Sequence, residues 1–86
     1  MDPNTTDDPH VLGQAMRMLR DRAGITQKVL AERVGTSEAY VSNIEGGRRD
    51  ARWSTLIRLL CALGADLRQL AAAIAEVEQH NSPSKR

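Results

Sequence analysis

The side chains best suited to recognition chemistry lie in one short segment, "TSEAYVSN", at residues 36–43. Glu38, Ala39, Tyr40 and Asn43 fall on the outer side of a helix predicted there. An ordinary solvated helix face carries lysines and glutamates, whereas this one combines a carboxylate, a methyl group, a phenol and an amide. Such groups pair with or pack against a partner. The segment therefore predicts a surface that is covered when the protein works.

A cluster of arginines follows in the loop "EGGRRDARW", as Arg48, Arg49 and Arg52. The net charge of the whole chain is only +1, but residues 10–70 hold ten basic side chains against six acidic ones. Nearly all of the basic ones are arginines, whose planar guanidinium binds phosphate through two parallel hydrogen bonds. The middle of the chain is therefore suited to a phosphate-bearing partner.

Residues that could catalyse a reaction or hold a metal ion are sparse. His10 and His80 lie near opposite ends of the chain, and neither has a cysteine or carboxylate at the spacing of metal ligands. The single cysteine, Cys61, allows no internal disulfide and no thiolate cluster. No glycine-rich phosphate loop or nucleophile motif is present. We therefore expect a protein that is not an enzyme and that needs neither metal nor cofactor.

Helices must position the polar segment, since no stretch alternates apolar and polar residues as a strand does. Helix 1 is predicted at about residues 9–23, with Asp8 as its N-cap, Pro9 at its first position and Gly24 at its end. Its apolar side chains recur at helical spacing. They are Val11, Leu12, Ala15, Met16 and Leu19.

Two short helices come next. Thr26 is placed to cap helix 2 and Gly35 to end it, while Ser37 is placed to cap helix 3. So short a connection with a glycine in it favours the wide crossing angle of a helix-turn-helix. The inward side chains are Leu30, Ala31, Val34, Val41 and Ile44.

Two further helices complete the chain. Ser54 is expected to cap helix 4 and Gly64 to end it, and Asp66 with Gln69 has the spacing of a capping box that opens helix 5 at about residues 66–79. Five helices in 86 residues predict one compact all-α domain. No apolar run is long enough to cross a membrane, and the acidic N-terminus is unlike a signal peptide, so we expect a cytoplasmic protein.

The stretches "GITQKVLAERVGTSEAYVSNIEGGRR" and "TLIRLLCALGADLRQL" resemble the helix-turn-helix domain of the phage repressor and Cro family, also called the xenobiotic-response-element (XRE) family. The resemblance implies a lambda-repressor-like fold. It implies a DNA-binding domain at 8–79 with its helix-turn-helix at 26–45, between disordered tails at 1–7 and 80–86. The matching positions are Thr26, Gln27, Leu30, Ala31, Gly35, Ser37, Val41, Ser42, Ile44, Glu45, Gly47, Leu56, Ala62, Leu63 and Gly64.

The same resemblance places helix 3 in the major groove of double-stranded DNA, with Ser37 to Asn43 against the bases. Asn43 can pair with adenine through two hydrogen bonds, Glu38 can accept one from cytosine, and the methyl group of Ala39 can touch that of thymine. Tyr40 suits a phosphate, a sugar or a base edge. For Glu38 a second interpretation stays open, because the helix dipole favours an acid in a first turn.

The resemblance also assigns residues that bind DNA phosphates. Thr26 and Gln27 open helix 2, whose N-terminus attracts an anion through its free N–H groups. Arg48 and Arg49 would hold the DNA backbone without recognising its sequence. The alternatives are a plain first-turn residue for Gln27 and a solvated loop for the arginines. Gly46 stands where the family more often has a polar residue, which should loosen the end of helix 3.

Some residues of the pattern have structural roles. Arg20 and Glu45 match a salt bridge of the family that joins helix 1 to the end of helix 3. Trp53 is expected to pack beneath the arginine loop, and Cys61 to be a small core residue.

A dimer is expected because one helix of this size contacts only a few base pairs, and such domains pair on half-sites ~34 Å apart. Helix 5 carries a longer apolar stripe than the core requires, with small residues beside it, and the family commonly dimerises through its C-terminal helix region. We therefore predict a symmetric homodimer. The predicted interface residues are Leu67, Leu70, Ala71, Ile74 and Val77.

The expected function is that of a sequence-specific DNA-binding transcriptional regulator, a repressor that acts as a homodimer on a palindromic operator. The alternative is an antitoxin that binds both DNA and a toxin protein. A small-molecule or redox sensor has little support from one cysteine.

Overall fold

Five α-helices build the part of the chain that the computed structural model describes, residues 9–81. In chain order they are α1 (Pro9–Ala23), α2 (Gln27–Val34), α3 (Glu38–Glu45), α4 (Trp53–Leu63) and α5 (Leu67–Asn81). No strand occurs within this range, and the all-α prediction is confirmed. None of these helices is long and apolar enough to cross a membrane. The predicted tail at 1–7 and the predicted cap Asp8 lie outside the described residues.

Capping residues set the limits of the two central helices as predicted. The Oγ1 atom of Thr26 accepts a hydrogen bond from the backbone N–H of Val29 at 3.1 Å, and Ser37 Oγ accepts one from that of Tyr40 at 3.0 Å. Gly35 ends α2 with a φ of 81°. That left-handed conformation costs a glycine little, because it has no Cβ. The turn between α2 and α3 is therefore defined at both ends.

The later helix boundaries agree with the prediction only in part. Asp66 and Gln69 form the predicted capping box, each accepting a hydrogen bond from the other's backbone N–H, at 2.8 and 2.9 Å. The cap predicted at Ser54 is wrong, since α4 begins at Trp53 and its N-cap, Arg52, makes no side-chain capping hydrogen bond. α5 continues through residue 81, two residues beyond its predicted end at about 79, and residues 82–86 of the second predicted tail lie outside the described residues.

All five helices contribute to one hydrophobic core. α1 packs chiefly against α3 and α5, while α2 packs between α3 and α4. Burial of these apolar faces is the main stabilising contribution for helices as short as α2 and α3. The largest fully buried side chains are Met16, Leu30, Val41, Ile44 and Leu59.

The prediction that Trp53 packs beneath the arginine loop is wrong, and so is the prediction that Cys61 is a core residue. Trp53 is 65% exposed, and Cys61 is exposed as well. The buried stripe of α4 consists of Leu56, Leu59 and Leu60. Each residue turns a helix by about 100°. Cys61 therefore lies on nearly the opposite side of α4, and Trp53 lies at the edge of the stripe, one turn before it begins.

Candidate nucleic-acid interface

α3 has one buried face and one accessible face. Val41 and Ile44 are each 2% exposed and belong to the core. On the other side Ser37, Glu38 and Ala39 are exposed, and Tyr40 and Asn43 are half-buried. We call the accessible residues the α3 surface: Ser37, Glu38, Ala39, Tyr40 and Asn43. The structure thus brings together every residue that was predicted to contact bases.

A buried ion pair fixes the end of α3 against α1. Arg20 donates from Nε to Glu45 Oε2 at 2.7 Å and from Nη2 to Oε1 at 3.0 Å. This is the predicted salt bridge, in the two-pronged geometry that favours arginine. The two side chains are only 10% and 4% exposed. The hydrogen bonds to Glu45 raise the pKa of Arg20 above its ordinary value, so the guanidinium stays charged.

The same carboxylate also holds the start of α2. Gln27 Nε2 donates to Glu45 Oε1 at 2.8 Å, and Arg20 Nη1 donates to the carbonyl oxygen of Ile25 at 2.8 Å. Glu45 therefore joins α1, α2 and α3. This structural role of Gln27 was not predicted, and its contact with phosphate stays a prediction. Here we call Arg20, Gln27 and Glu45 the α3 anchor.

Gly13 allows α1 to lie directly on the C-terminal end of α3. A Cβ at residue 13 would meet the carbonyl oxygen of Ile44 and would lie 2.7 Å from that of Glu45, closer than a Cβ comes to backbone atoms. Any side chain at this position must push α3 away from α1. The sequence carries one signal of this contact, since an isolated glycine inside a helical pattern often has a packing reason.

Arg48 and Arg49 lie against the α3 surface. Arg48 Nε donates to Asn43 Oδ1 at 3.0 Å, and its Nη2 donates to the carbonyl oxygen of Ser42 at 3.3 Å. The guanidinium of Arg49 lies over the ring of Tyr40, 5.0 Å from the centroid, in a cation–π contact. Basic charge therefore covers the C-terminal half of this surface, although only phosphate binding was predicted for the two arginines.

A shallow cleft lies beside the N-terminal half of the same surface. Its lining includes Arg17, Thr26, Gln27 and Glu38. The N-terminus of α2 opens here, and the first N–H groups of a helix have no intrahelical acceptor and carry partial positive charge. The cleft also contains the carboxylate of Asp21, and the contact of Thr26 and Gln27 with a DNA phosphate stays a prediction. Glu38 is exposed at its edge, which leaves both interpretations of that residue open.

The predicted interface residues of α5 fall into two sets. Leu70 and Val77 are 5% and 4% exposed. They occupy the side of α5 that packs on α1, so the prediction that they form an interface is wrong. Leu67 is 47% exposed, Ala71 is exposed and Ile74 is half-buried. These three side chains lie on one accessible flank of α5, because they are four and three residues apart.

α2 and α3 are both capped, a buried ion pair holds α3 in place, and polar and basic groups are exposed on α3 and in the loop after it. This arrangement defines a helix-turn-helix DNA-binding protein. A family model described as "Helix-turn-helix domain" matches residues 11–73. The chain belongs to this family and is a transcriptional regulator of the XRE type, a class of proteins that are not enzymes.

Solved structures support the same fold. The clp gene regulator ClgR of Corynebacterium glutamicum is 29% identical, with a TM-score of 0.77 over 88% of this chain and 97% of that one. The restriction-modification controller protein C.AhdI of Aeromonas hydrophila is 33% identical, with a TM-score of 0.70 over 73% of this chain and 91% of that one.

Relatives by sequence include proteins of different sizes. The propionyl-CoA carboxylase regulator of Cereibacter sphaeroides is 36% identical over 64 residues, which are 74% of this chain but only 14% of that protein. The HTH-type transcriptional regulator y4dJ of Sinorhizobium fredii is 39% identical over 54 residues, 63% of this chain and 70% of that protein. Antitoxin HipB of Escherichia coli is 33% identical over 55 residues, 64% of this chain and 62% of that protein.

Proposed function

We propose that this protein represses transcription by binding, as a symmetric homodimer, to a two-fold symmetric operator in the cytoplasm. Each protomer inserts its α3 surface into the major groove, and Arg49 and the N-terminus of α2 bind flanking phosphates. The observation that carries this proposal is the α3 anchor. It holds a helix of only eight residues in one orientation, which is what sequence recognition requires.

Charge and hydrogen-bonding capacity support DNA as the partner. The α3 surface offers amide, phenol and carboxylate groups that match base edges in the major groove. Arg49, stacked on Tyr40, places a positive charge beside them, where the sugar–phosphate backbone borders the groove. Repression follows if the occupied operator overlaps the site that RNA polymerase uses.

The dimer is proposed to form through the accessible flank of α5. Leu67, Ala71 and Ile74 present apolar surface there, and the small side chain of Ala71 allows a second helix to approach closely. Light scattering should give twice the monomer mass, and Ala71→Glu should give monomers. Gln79→Glu is the matched control, because Gln79 is exposed on another side of α5. A wild-type protein that stays monomeric with and without DNA contradicts the dimer.

DNA binding is tested with a fragment from upstream of the protein's own gene, by fluorescence anisotropy at several salt concentrations. About 6–10 phosphate contacts per complex should lower the affinity by roughly 10³- to 10⁵-fold between 50 and 200 mM salt. Arg49→Ala should reduce the salt dependence, whereas Arg68→Ala on α5 should not. Salt-insensitive binding, or none above that of unrelated DNA, refutes the proposal.

A second candidate function, an antitoxin, is favoured by one observation, the similarity to antitoxin HipB. Such a protein would bind DNA and also neutralise a toxin protein. Co-expression with the product of the neighbouring gene distinguishes the two functions. A stoichiometric complex that survives purification supports the antitoxin, and its absence supports a repressor that acts alone.

A further inference from the structure

Arg48 is hydrogen-bonded to Asn43, a residue of the α3 surface. Arg48 Nε donates to Asn43 Oδ1 at 3.0 Å, and Nη2 donates to the carbonyl oxygen of Ser42 at 3.3 Å. A guanidinium group carries only donors, so its partner on Asn43 must be the amide oxygen. The contact therefore fixes which way the amide of Asn43 is turned, and it occupies one of the two lone pairs of Oδ1, while both N–H groups of Nδ2 remain as donors.

Gly46 makes this contact possible. A Cβ at residue 46 would lie 2.5 Å from Nη1 and 2.8 Å from Cζ of Arg48, so the guanidinium occupies the space of the missing side chain. Gly46 itself has φ and ψ of −84° and 0°, a conformation that alanine also adopts. The glycine is therefore not required by the backbone here. What it provides is room for Arg48 beside Asn43.

We propose that Arg48 sets the base preference of Asn43, so that the pair recognises guanine in the major groove and discriminates against adenine. This assignment rests on the proposed DNA-binding function. An asparagine that pairs with adenine donates to N7 and accepts from N6 through its amide oxygen. In this protein that oxygen already accepts from Arg48, which leaves one of its two lone pairs free, and the positive charge of the adjacent guanidinium disfavours a second donor such as adenine N6 at this place.

Guanine is the base whose major-groove edge best matches a surface on which donors and positive charge predominate. It presents two acceptors, N7 and O6, whereas adenine presents the N6 donor beside its N7. Nδ2 of Asn43 and the remaining N–H groups of Arg48 can each donate to one acceptor of guanine. Arg48 thereby acts on specificity through Asn43, in contrast to a phosphate anchor, which would strengthen binding to all sequences equally.

Selection of bound sequences from a random DNA pool tests the assignment, with the wild-type protein and Gly46→Ala compared. The alanine displaces the guanidinium and changes neither Arg48 nor Asn43. The wild-type protein should enrich guanine at one position of each half-site. Gly46→Ala should lose that preference or shift it to adenine, a change of about 5- to 100-fold in relative affinity, which is the discrimination given by one bidentate base contact.

Two further variants distinguish the effect of Arg48 on the orientation of the Asn43 amide from the effect of its positive charge. Arg48→Lys keeps the positive charge but cannot donate to Asn43 and to Ser42 in one fixed plane, so it should lose the guanine preference while the salt dependence is unchanged. Arg68→Lys is the matched control, since Arg68 is exposed on α5 away from the α3 surface, and it should keep the preference. Circular dichroism melting curves show whether each variant is folded, and an NMR spectrum of the free protein should show the side-chain amide signals of Asn43 shifted in Gly46→Ala.

The outcomes are distinct. If the wild-type protein enriches no sequence, the proposed function and this assignment are both overturned. The assignment alone is overturned if the enriched half-site has adenine at the position that Asn43 contacts. It is also overturned if the wild type, Gly46→Ala and Arg48→Lys all show the same base preferences. Loss of guanine preference in both variants, with the control unchanged, supports it.

Discussion

The α3 anchor gives the most quantitative prediction. We consider Glu45→Gln, which keeps the shape of the side chain and removes its charge. The guanidinium of Arg20 then stays in a site where its side chain is only 10% exposed, and the exposed carboxylate of Asp21, 3.6 Å away, is the charge that remains to compensate it. A weakly compensated charge in such a site is unfavourable, because the surrounding protein cannot replace the lost hydration.

The expected magnitude follows from the geometry. Breaking a fully buried pair costs roughly 3–5 kcal/mol. Here the glutamine oxygen can still accept one hydrogen bond from Arg20, and the carbonyl oxygen of Ile25 accepts another at 2.8 Å. We therefore expect the low end of that range, about 3 kcal/mol. For a domain of this size the thermal midpoint should fall by roughly 12–24 °C.

Thermal and urea unfolding, followed by circular dichroism, measure this loss. The control is Glu76→Gln, which removes the exposed ion pair between Arg22 and Glu76. It should leave the midpoint nearly unchanged, since exposed pairs contribute little. If Glu45→Gln unfolds within about 0.5 kcal/mol of the wild type, a change typical of surface substitutions, the α3 anchor does not stabilise the fold and the reasoning is refuted.

Three further predictions concern the elements around α3. Gly13→Ala should lower the free energy of unfolding by about 1–3 kcal/mol or more, because the added Cβ overpacks against α3. It should also weaken DNA binding by more than the loss of folded protein explains. Urea unfolding measures the first effect and fluorescence anisotropy the second, and an unchanged free energy of unfolding contradicts the close approach of α1 to α3. Thr26→Ala should cost about 1 kcal/mol because the hydroxyl caps α2, whereas Thr26→Ser keeps a capping hydroxyl and should change the stability little; an unchanged stability of Thr26→Ala would exclude the cap. The hydrogen bonds from Arg22 lower the pKa of Glu76, so their stabilisation is complete above the ordinary glutamate pKa and is lost as the pH falls through the lower folded value. The free energy of unfolding, measured with urea at several pH values, should therefore fall less steeply toward acid pH for Glu76→Gln than for the wild type. An identical decrease in the two proteins contradicts that pKa shift.

Much of the fold is predictable from the sequence because its signals are local. Thr26, Ser37 and Gly35 act within one turn of their own helices, and the capping box of Asp66 and Gln69 does as well. Such residues specify helix ends through contacts within a single turn, so they can be identified without knowledge of the tertiary structure. The Arg20–Glu45 ion pair spans 25 residues, and it was identified only because the chain resembles a known family.

The failures of prediction concern contacts between elements. Trp53 and Cys61 have apolar side chains, but their burial depends on which side of α4 meets the core. Leu70 and Val77 continue a stripe that suits either an interface or a core, and α1 covers them. The contact between Arg48 and Asn43 depends on the space that Gly46 leaves for the guanidinium, and no spacing rule encodes it.

Methylation interference on a selected operator tests the central claim, that α3 binds in the major groove. Dimethyl sulfate methylates guanine at N7, in the major groove, and adenine at N3, in the minor groove. The account predicts that methylated guanines in each half-site prevent binding, and that methylated adenines there do not. Interference from the adenines alone would place the protein in the minor groove and contradict the account.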